Sequence, residues 1–169
     1  NLAVVFCVDR AGLVGNDGPS HHGVFDIAYL RCIPNIIVAA PKDEIDLRNL
    51  LYTAQLDLNQ PLAIRYPRGY GKLLNWELPF EKVEFGKGKC LKEGSEIGII
   101  SLGTIALQVE EAIDLVSEKS QIAHYDLAYV KPLDEKMLHE VFKKYKSILI
   151  IEDGAVSGGA GSAVLEFAS

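Results

Sequence analysis

Cysteine is scarce in this chain. The three present (Cys7, Cys32 and Cys90) stand far apart, with no CxxC spacing. That excludes a disulfide framework and the usual zinc motifs, and leads us to expect free thiols in a reducing compartment such as the cytoplasm. No apolar run approaches the roughly 20 residues that a membrane-spanning helix needs. A basic excess is also missing: 17 basic residues face 23 acidic ones, a net charge of −6, which argues against a nucleic-acid surface. Arginine disappears after Arg68. All five (Arg10, Arg31, Arg48, Arg65, Arg68) lie early, and eleven of the twelve lysines come later. Since guanidinium is the group suited to gripping phosphate or carboxylate in two-point fashion, an anion site belongs in the first part of the chain.

What is present is a globular composition. Of 169 residues, 49% are hydrophobic and 24% charged, enough for one large domain or two small ones. Apolar runs at Leu2–Val8, Asn35–Ala40 and Pro61–Tyr66 read as buried parallel strands. Between them, a short helix is expected over Val24–Arg31, with Phe25, Ala28 and Tyr29 on one face. A longer helix is expected after the N-cap Asp43, with Leu47, Leu50, Leu51 and Ala54 inward. Strand, helix, strand, helix, strand predicts right-handed crossovers and a parallel sheet.

From Tyr70 the rhythm breaks into a stretch read as an ordered linker, pinned by Trp76, Phe80 and Phe85. The alternation then restarts. Strands are expected at Ile97–Leu102, Ile122–Leu127 and Ile148–Ile151. Helices are expected at Ile105–Val116 (Val109, Ala112 and Ile113 inward), after the cap Asp134 (Leu138, Val141, Phe142, Tyr145), and from about Gly159. The fold class is therefore α/β, two parallel-sheet three-layer units: 1–69, a linker 70–90, and 91–169. A strand at residue 2 and a last helix without a cap suggest a piece of a longer protein, with no signal peptide at Asn1.

The loop from Asp9 to Gly23 leaves the C-terminal end of a strand, where open α/β sheets bind ligands. It carries Arg10, Asp17, His21 and His22 among four glycines. Arg68 closes the third strand at Arg65-Tyr66-Pro67-Arg68-Gly69, and so shares that rim. Two arginines on one rim suit a phosphate dianion, an aspartate can accept from hydroxyls, and a histidine can exchange protons near neutral pH. Arg65 either points to the same side or pairs internally with an acid such as Asp9. Two adjacent histidines diverge and have no further ligand at suitable spacing, so no metal site is expected. Gly158-Gly159-Ala160-Gly161 lacks the third glycine of a dinucleotide fingerprint and reads as close helix–strand packing. Asn16-Asp17-Gly18 lacks the glycine before the aspartate that a thiamine diphosphate metal motif requires.

Together these residues resemble the 1-deoxy-D-xylulose-5-phosphate synthase family, transketolase-like thiamine diphosphate enzymes. The matching segments are Asp9–Gly15, Asp17-Gly18-Pro19-Ser20-His21, Tyr29–Pro34, Arg65–Gly69, Val130-Lys131-Pro132-Leu133-Asp134 and the Gly158–Gly161 turn. The resemblance implies the second half of a pyrimidine-binding domain followed by a shortened transketolase C-terminal-like domain. It also implies condensation of pyruvate, with decarboxylation, and D-glyceraldehyde 3-phosphate for isoprenoid and thiamine precursor synthesis. Thiamine diphosphate and Mg2+ would serve a cytoplasmic homodimer, with no nucleic acid and no membrane involved. Arg10 and Arg68 would hold the aldehyde's phosphate, Asp17 would lie near substrate hydroxyls, and His21 near the reacting carbon. His22 stands where relatives often have Gln, and Ala128 where many have Arg. The cofactor-activating glutamate and the magnesium motif would precede Asn1, so the cofactor-binding residues stay unknown and the piece alone is expected to be inactive. A transketolase, a 2-oxoacid dehydrogenase component and a non-catalytic dimerisation module are the rival readings.

Overall fold

The computed structural model describes residues 2–71 and 77–169. Its first half runs β1 (Val5–Val8), α1 (Asp26–Arg31), β2 (Ile37–Ala39), α2 (Glu44–Asp57) and β3 (Leu62–Arg65). The second half runs β4 (Lys89–Lys92), β5 (Ile97–Leu102), α3 (Ile105–Asp114), β6 (Ile122–Asp126), β7 (Tyr129–Lys131), α4 (Glu135–Lys144), β8 (Ser147–Glu152) and α5 (Ala160–Ala168). Strands β1, β3 and β2 pair in parallel, as the crossover pattern requires. In the second sheet, ordered β4-β6-β5-β8, β5 is parallel to both β6 and β8. No helix among the described residues is long and apolar enough to cross a membrane.

β1, read as buried, is instead an edge strand with Phe6 and Cys7 exposed, and two strands depart from the expected parallel pairing. β7 leaves the second half and pairs antiparallel with β2, so the first sheet is four-stranded, β1-β3-β2-β7. The chain thereby covers with its own backbone one of the edges that three parallel strands alone would leave open. β4 pairs antiparallel with β6 and starts at Lys89, within the stretch read as linker. Glu81 and Val83 of that stretch are tied to α2: the Thr53 hydroxyl accepts from the Val83 N–H at 3.0 Å and the Asn49 side-chain oxygen from the Glu81 N–H at 3.1 Å. Phe80 stacks on Tyr52 with ring centres 5.2 Å apart, and Phe85 meets Tyr129 edge-on at 6.4 Å. Trp76 lies outside the described residues.

The halves share one core. Ile27, Leu30, Val38 and Ala63 from the first pack in a single apolar cluster with Ile100, Leu102, Leu127 and Leu138 from the second. Helix α1 turns Ile27 and Leu30 into it, so the face expected from Phe25 and Tyr29 is the solvent side instead; these rings are 66% and 55% exposed. The helix caps are as read. Asp43 accepts from the Asp46 N–H at 2.8 Å and Asp134 from the Met137 N–H at 3.1 Å. Asp134 also accepts from Gly88 N–H at 3.2 Å, so the cap of α4 holds the approach to β4.

Candidate active-site rim

β1 and β3 end side by side, and the Ala11 N–H donates to the Tyr66 carbonyl at 3.0 Å just beyond them. The loop that follows is closed at its base by reciprocal bonds between Gly12 and Gly23, 3.1 and 2.9 Å. Glycine is required there: a Cβ on Gly23 would overlap the Arg10 carbonyl. Within the loop, two short 3-10 turns, Gly15–Asp17 and Pro19–His21, replace the wholly irregular path expected from composition. Gly15 opens the first of them and Gly18 closes it, at φ +52° and +81°, backbone that disfavours other residues. Arg10 itself sits at φ 57°, an uncommon place for a side chain of this size and one that aims it across the rim.

The expected residues converge. Arg10 Nε donates to Asp17 Oδ2 at 2.8 Å, and Arg68 Nη1 pairs with Asp17 Oδ1, so two guanidinium groups share one carboxylate. Arg10 Nη1 also reaches Asp9 at 2.6 Å. His21 is exposed, its Nδ1 3.2 Å from the Ser20 hydroxyl, and shares with Arg10, His22, Phe25 and Tyr29 a hollow of about 290 Å³. His22 plays a different part, because its Nδ1 accepts from the Val14 N–H at 3.1 Å and so bends the loop back on itself. A second, larger hollow of about 580 Å³ opens beside Arg68, between Asp9, Lys42 and Tyr66 of the first half and Thr104 and Asp153 of the second.

The choice left open for Arg65 resolves inward. Its Nε pairs with Asp26 Oδ2 at 2.6 Å, with the two side chains 4% and 2% exposed, and its Nη2 donates to the Asp153 carbonyl at 3.0 Å. Arg31 is likewise structural. It donates to the carbonyls of Gly158 and Gly159 at 2.9 and 3.1 Å and reaches Glu166 at 2.5 Å. The Gly158–Gly161 turn cradles no phosphate, because Glu152 already accepts from Ala160 and Gly161 N–H at 2.8 and 2.9 Å. Asp26 and Asp153 were not singled out in the sequence; the signal was an acid next to an apolar strand end or on a core-facing helix.

His124 and Asp126 are buried away from the rim. His124 and Ser101 are fully buried and 2.7 Å apart, Nε2 to Oγ, and burial lowers the imidazole to about 4. Asp126 accepts from the Ala128 N–H at 3.0 Å through Oδ1 while Oδ2 has no partner, and burial raises the carboxyl to about 7. Fully buried, the Ser101–His124 pair belongs to the core. Among the described residues no three His, Cys, Asp or Glu side chains gather as metal ligands.

Mixed, mostly parallel sheets joined through one core, with a charged rim loop at the strand ends, define a transketolase-type α/β protein. Residues 1–72 match the family model described as transketolase, pyrimidine binding domain, and residues 86–169 that described as transketolase, C-terminal domain. The chain belongs to the transketolase family, and within it the relatedness is to the 1-deoxy-D-xylulose-5-phosphate synthases. The synthase of Phocaeicola vulgatus is 56% identical over 168 residues, 98% of this chain and 27% of that protein. That of Cytophaga hutchinsonii is 54% identical over 169 residues, 99% of this chain and again 27% of the relative's length. The chain thus spans 27% of the length of these relatives. A solved structure described as a split gene transketolase, inactive beta4 tetramer, superposes with TM-score 0.81 at 30% identity, covering 96% of this chain and 52% of that one. Transketolase from Leishmania mexicana, at TM-score 0.68 and 16% identity over 98% of this chain and 28% of its own, shares the fold.

Proposed function

We propose that this segment supplies the aldehyde-phosphate wall of a 1-deoxy-D-xylulose-5-phosphate synthase. The reaction joins pyruvate, with loss of CO2, to D-glyceraldehyde 3-phosphate. One observation carries the reading: Arg10 and Arg68 converge on a single anion, the Asp17 carboxylate. Two guanidinium groups that meet on a carboxylate have the spacing and charge to hold a phosphate dianion. Asp17, poised between them, then accepts from the substrate's hydroxyls. His21, in the hollow beside Arg10, delivers the proton that the alkoxide needs as the new carbon–carbon bond forms.

Thiamine diphosphate supplies the nucleophilic carbon in this family. Its Mg2+-bound diphosphate needs a shell of oxygen ligands, and the described residues offer no such cluster. Holding the cofactor therefore falls to other parts of the protein, and the 169-residue chain alone neither binds it tightly nor turns over. The inactive beta4 tetramer of a split gene transketolase is consistent with that division of labour. The proposal extends to a cytoplasmic homodimer serving isoprenoid and thiamine precursor synthesis.

The test uses the longer protein that carries this segment. It is assayed with pyruvate and D-glyceraldehyde 3-phosphate, and separately with a ketose phosphate donor. Product from the first pair alone supports the synthase reading; turnover only with the ketose phosphate makes the protein a transketolase. In parallel, the isolated chain is titrated calorimetrically with thiamine diphosphate and Mg2+. Micromolar binding there would contradict the placement of the cofactor site.

A further inference from the structure

We propose that Asp153, just past the end of β8, is a positioning residue that sets the rim loop and with it Arg10. The inference rests on the reading of Arg10 as a phosphate-holding group. The Leu13 N–H donates to Asp153 Oδ2 at 3.2 Å, a contact spanning 140 residues of chain. The carboxylate lies flush against the loop: Gly12 has φ +74°, and a Cβ there would overlap the Asp153 carboxyl.

Asp153 is itself held in place. Its carbonyl accepts from Arg65 Nη2 at 3.0 Å, and Arg65 is fixed by the buried pair with Asp26. Two residues on, the Ala155 N–H donates to the Val24 carbonyl at 2.8 Å. One turn of the second half therefore grips both stems of the loop, Leu13 on the outgoing side and Val24 on the returning side. Arg10 is three residues from the Asp153 contact, whereas His21 sits near the stem that Ala155 holds. Losing the carboxylate should free the Arg10 side of the loop and leave the His21 side in place.

The experiment compares Asp153→Ala and Asp153→Asn in the longer protein carrying this segment. The asparagine keeps an accepting oxygen. Hydrogen exchange is followed in peptides covering residues 11–24, and KM and kcat are measured for each substrate. In Asp153→Ala, exchange around Leu13 is expected to rise about tenfold, the loss of one hydrogen bond to a charged group. KM for D-glyceraldehyde 3-phosphate rises about three- to tenfold, with pyruvate KM and kcat within about twofold. Asp153→Asn restores both readouts. Unchanged exchange in Asp153→Ala overturns the proposal, as does equal weakening towards both substrates or an asparagine variant as impaired as the alanine. If the wild-type protein has no activity with these substrates, the functional reading fails by itself, and the exchange comparison still decides whether Asp153 sets the loop.

Discussion

Arg65 and Arg68 are three residues apart and do opposite things. Arg65 points inward, is almost wholly buried, and commits its guanidinium to Asp26 and the Asp153 carbonyl. Arg68, past Pro67, is half exposed and meets Asp17 on the rim. The same division separates Arg31, which grips the turn before α5, from Arg10, which reaches across the loop. Four of the five arginines therefore fall into two sets. One set ties two sheets into a single core, and the other meets on the Asp17 carboxylate, where we propose it holds an anion. Burial, more than residue type, distinguishes them: a buried pair is costly to break, whereas an exposed pair contributes little to stability and is free to exchange partners.

The largest expected effect comes from breaking the inner set. Arg65→Ala leaves Asp26 buried without its partner and should destabilise the fold by about 3–5 kcal/mol, read from urea midpoints. A loss below about 1 kcal/mol would erase the distinction between the two sets. On the rim the sign of the outcome reverses. His21→Ala in the longer protein should lower kcat about 10²- to 10⁴-fold with little change in melting temperature. A large fall in melting temperature with kcat intact would move His21 to the structural side.

A smaller effect tests burial away from either set. Asp126, raised to about 7 from an ordinary 3.8, favours the fold fully below pH 4 and loses that contribution as pH rises through 7. His124, lowered to about 4 from 6.5, contributes fully above pH 6.5 and loses it as pH falls through 4. Their slopes oppose each other between about pH 4 and 6.5. Asp126→Asn removes the first limb, so the variant should gain on the wild type by on the order of 2 kcal/mol between pH 5 and pH 8. A difference that does not vary with pH would mean that folding leaves the protonation of Asp126 unchanged.

The parallel strands, the capped helices and the rim were legible because each rests on local chemistry. Continuous apolar runs marked β2, β3 and β5, and Asp43 and Asp134 announced their helices. The glycine-shaped loop after β1 placed Arg10 and Asp17 near Arg68, with His21 in the hollow beside Arg10. What stayed hidden was non-local or short. β7 has three residues, and its partner lies about ninety positions away. β4, Lys-Cys-Leu-Lys, carries too little apolar character to stand out. The Arg65–Asp26 pair and the Asp153 contact join positions 39 and 140 apart, and no pattern in the sequence couples them. Nor did spacing reveal that α1 turns Ile27 and Leu30 inward beside the buried Asp26.

The central claim is that Arg10 and Arg68 hold a phosphate, and one comparison addresses it without intermediaries. In the longer protein, kcat/KM is measured for D-glyceraldehyde 3-phosphate and for unphosphorylated D-glyceraldehyde, each with pyruvate, in the wild type and in Arg68→Ala. Loss of one charge-assisted contact should cut the preference for the phosphorylated aldehyde about ten- to a hundredfold and leave the reaction of plain glyceraldehyde nearly unchanged. An equal loss with both aldehydes would contradict the account and make Arg68, like Arg65, a residue of the fold.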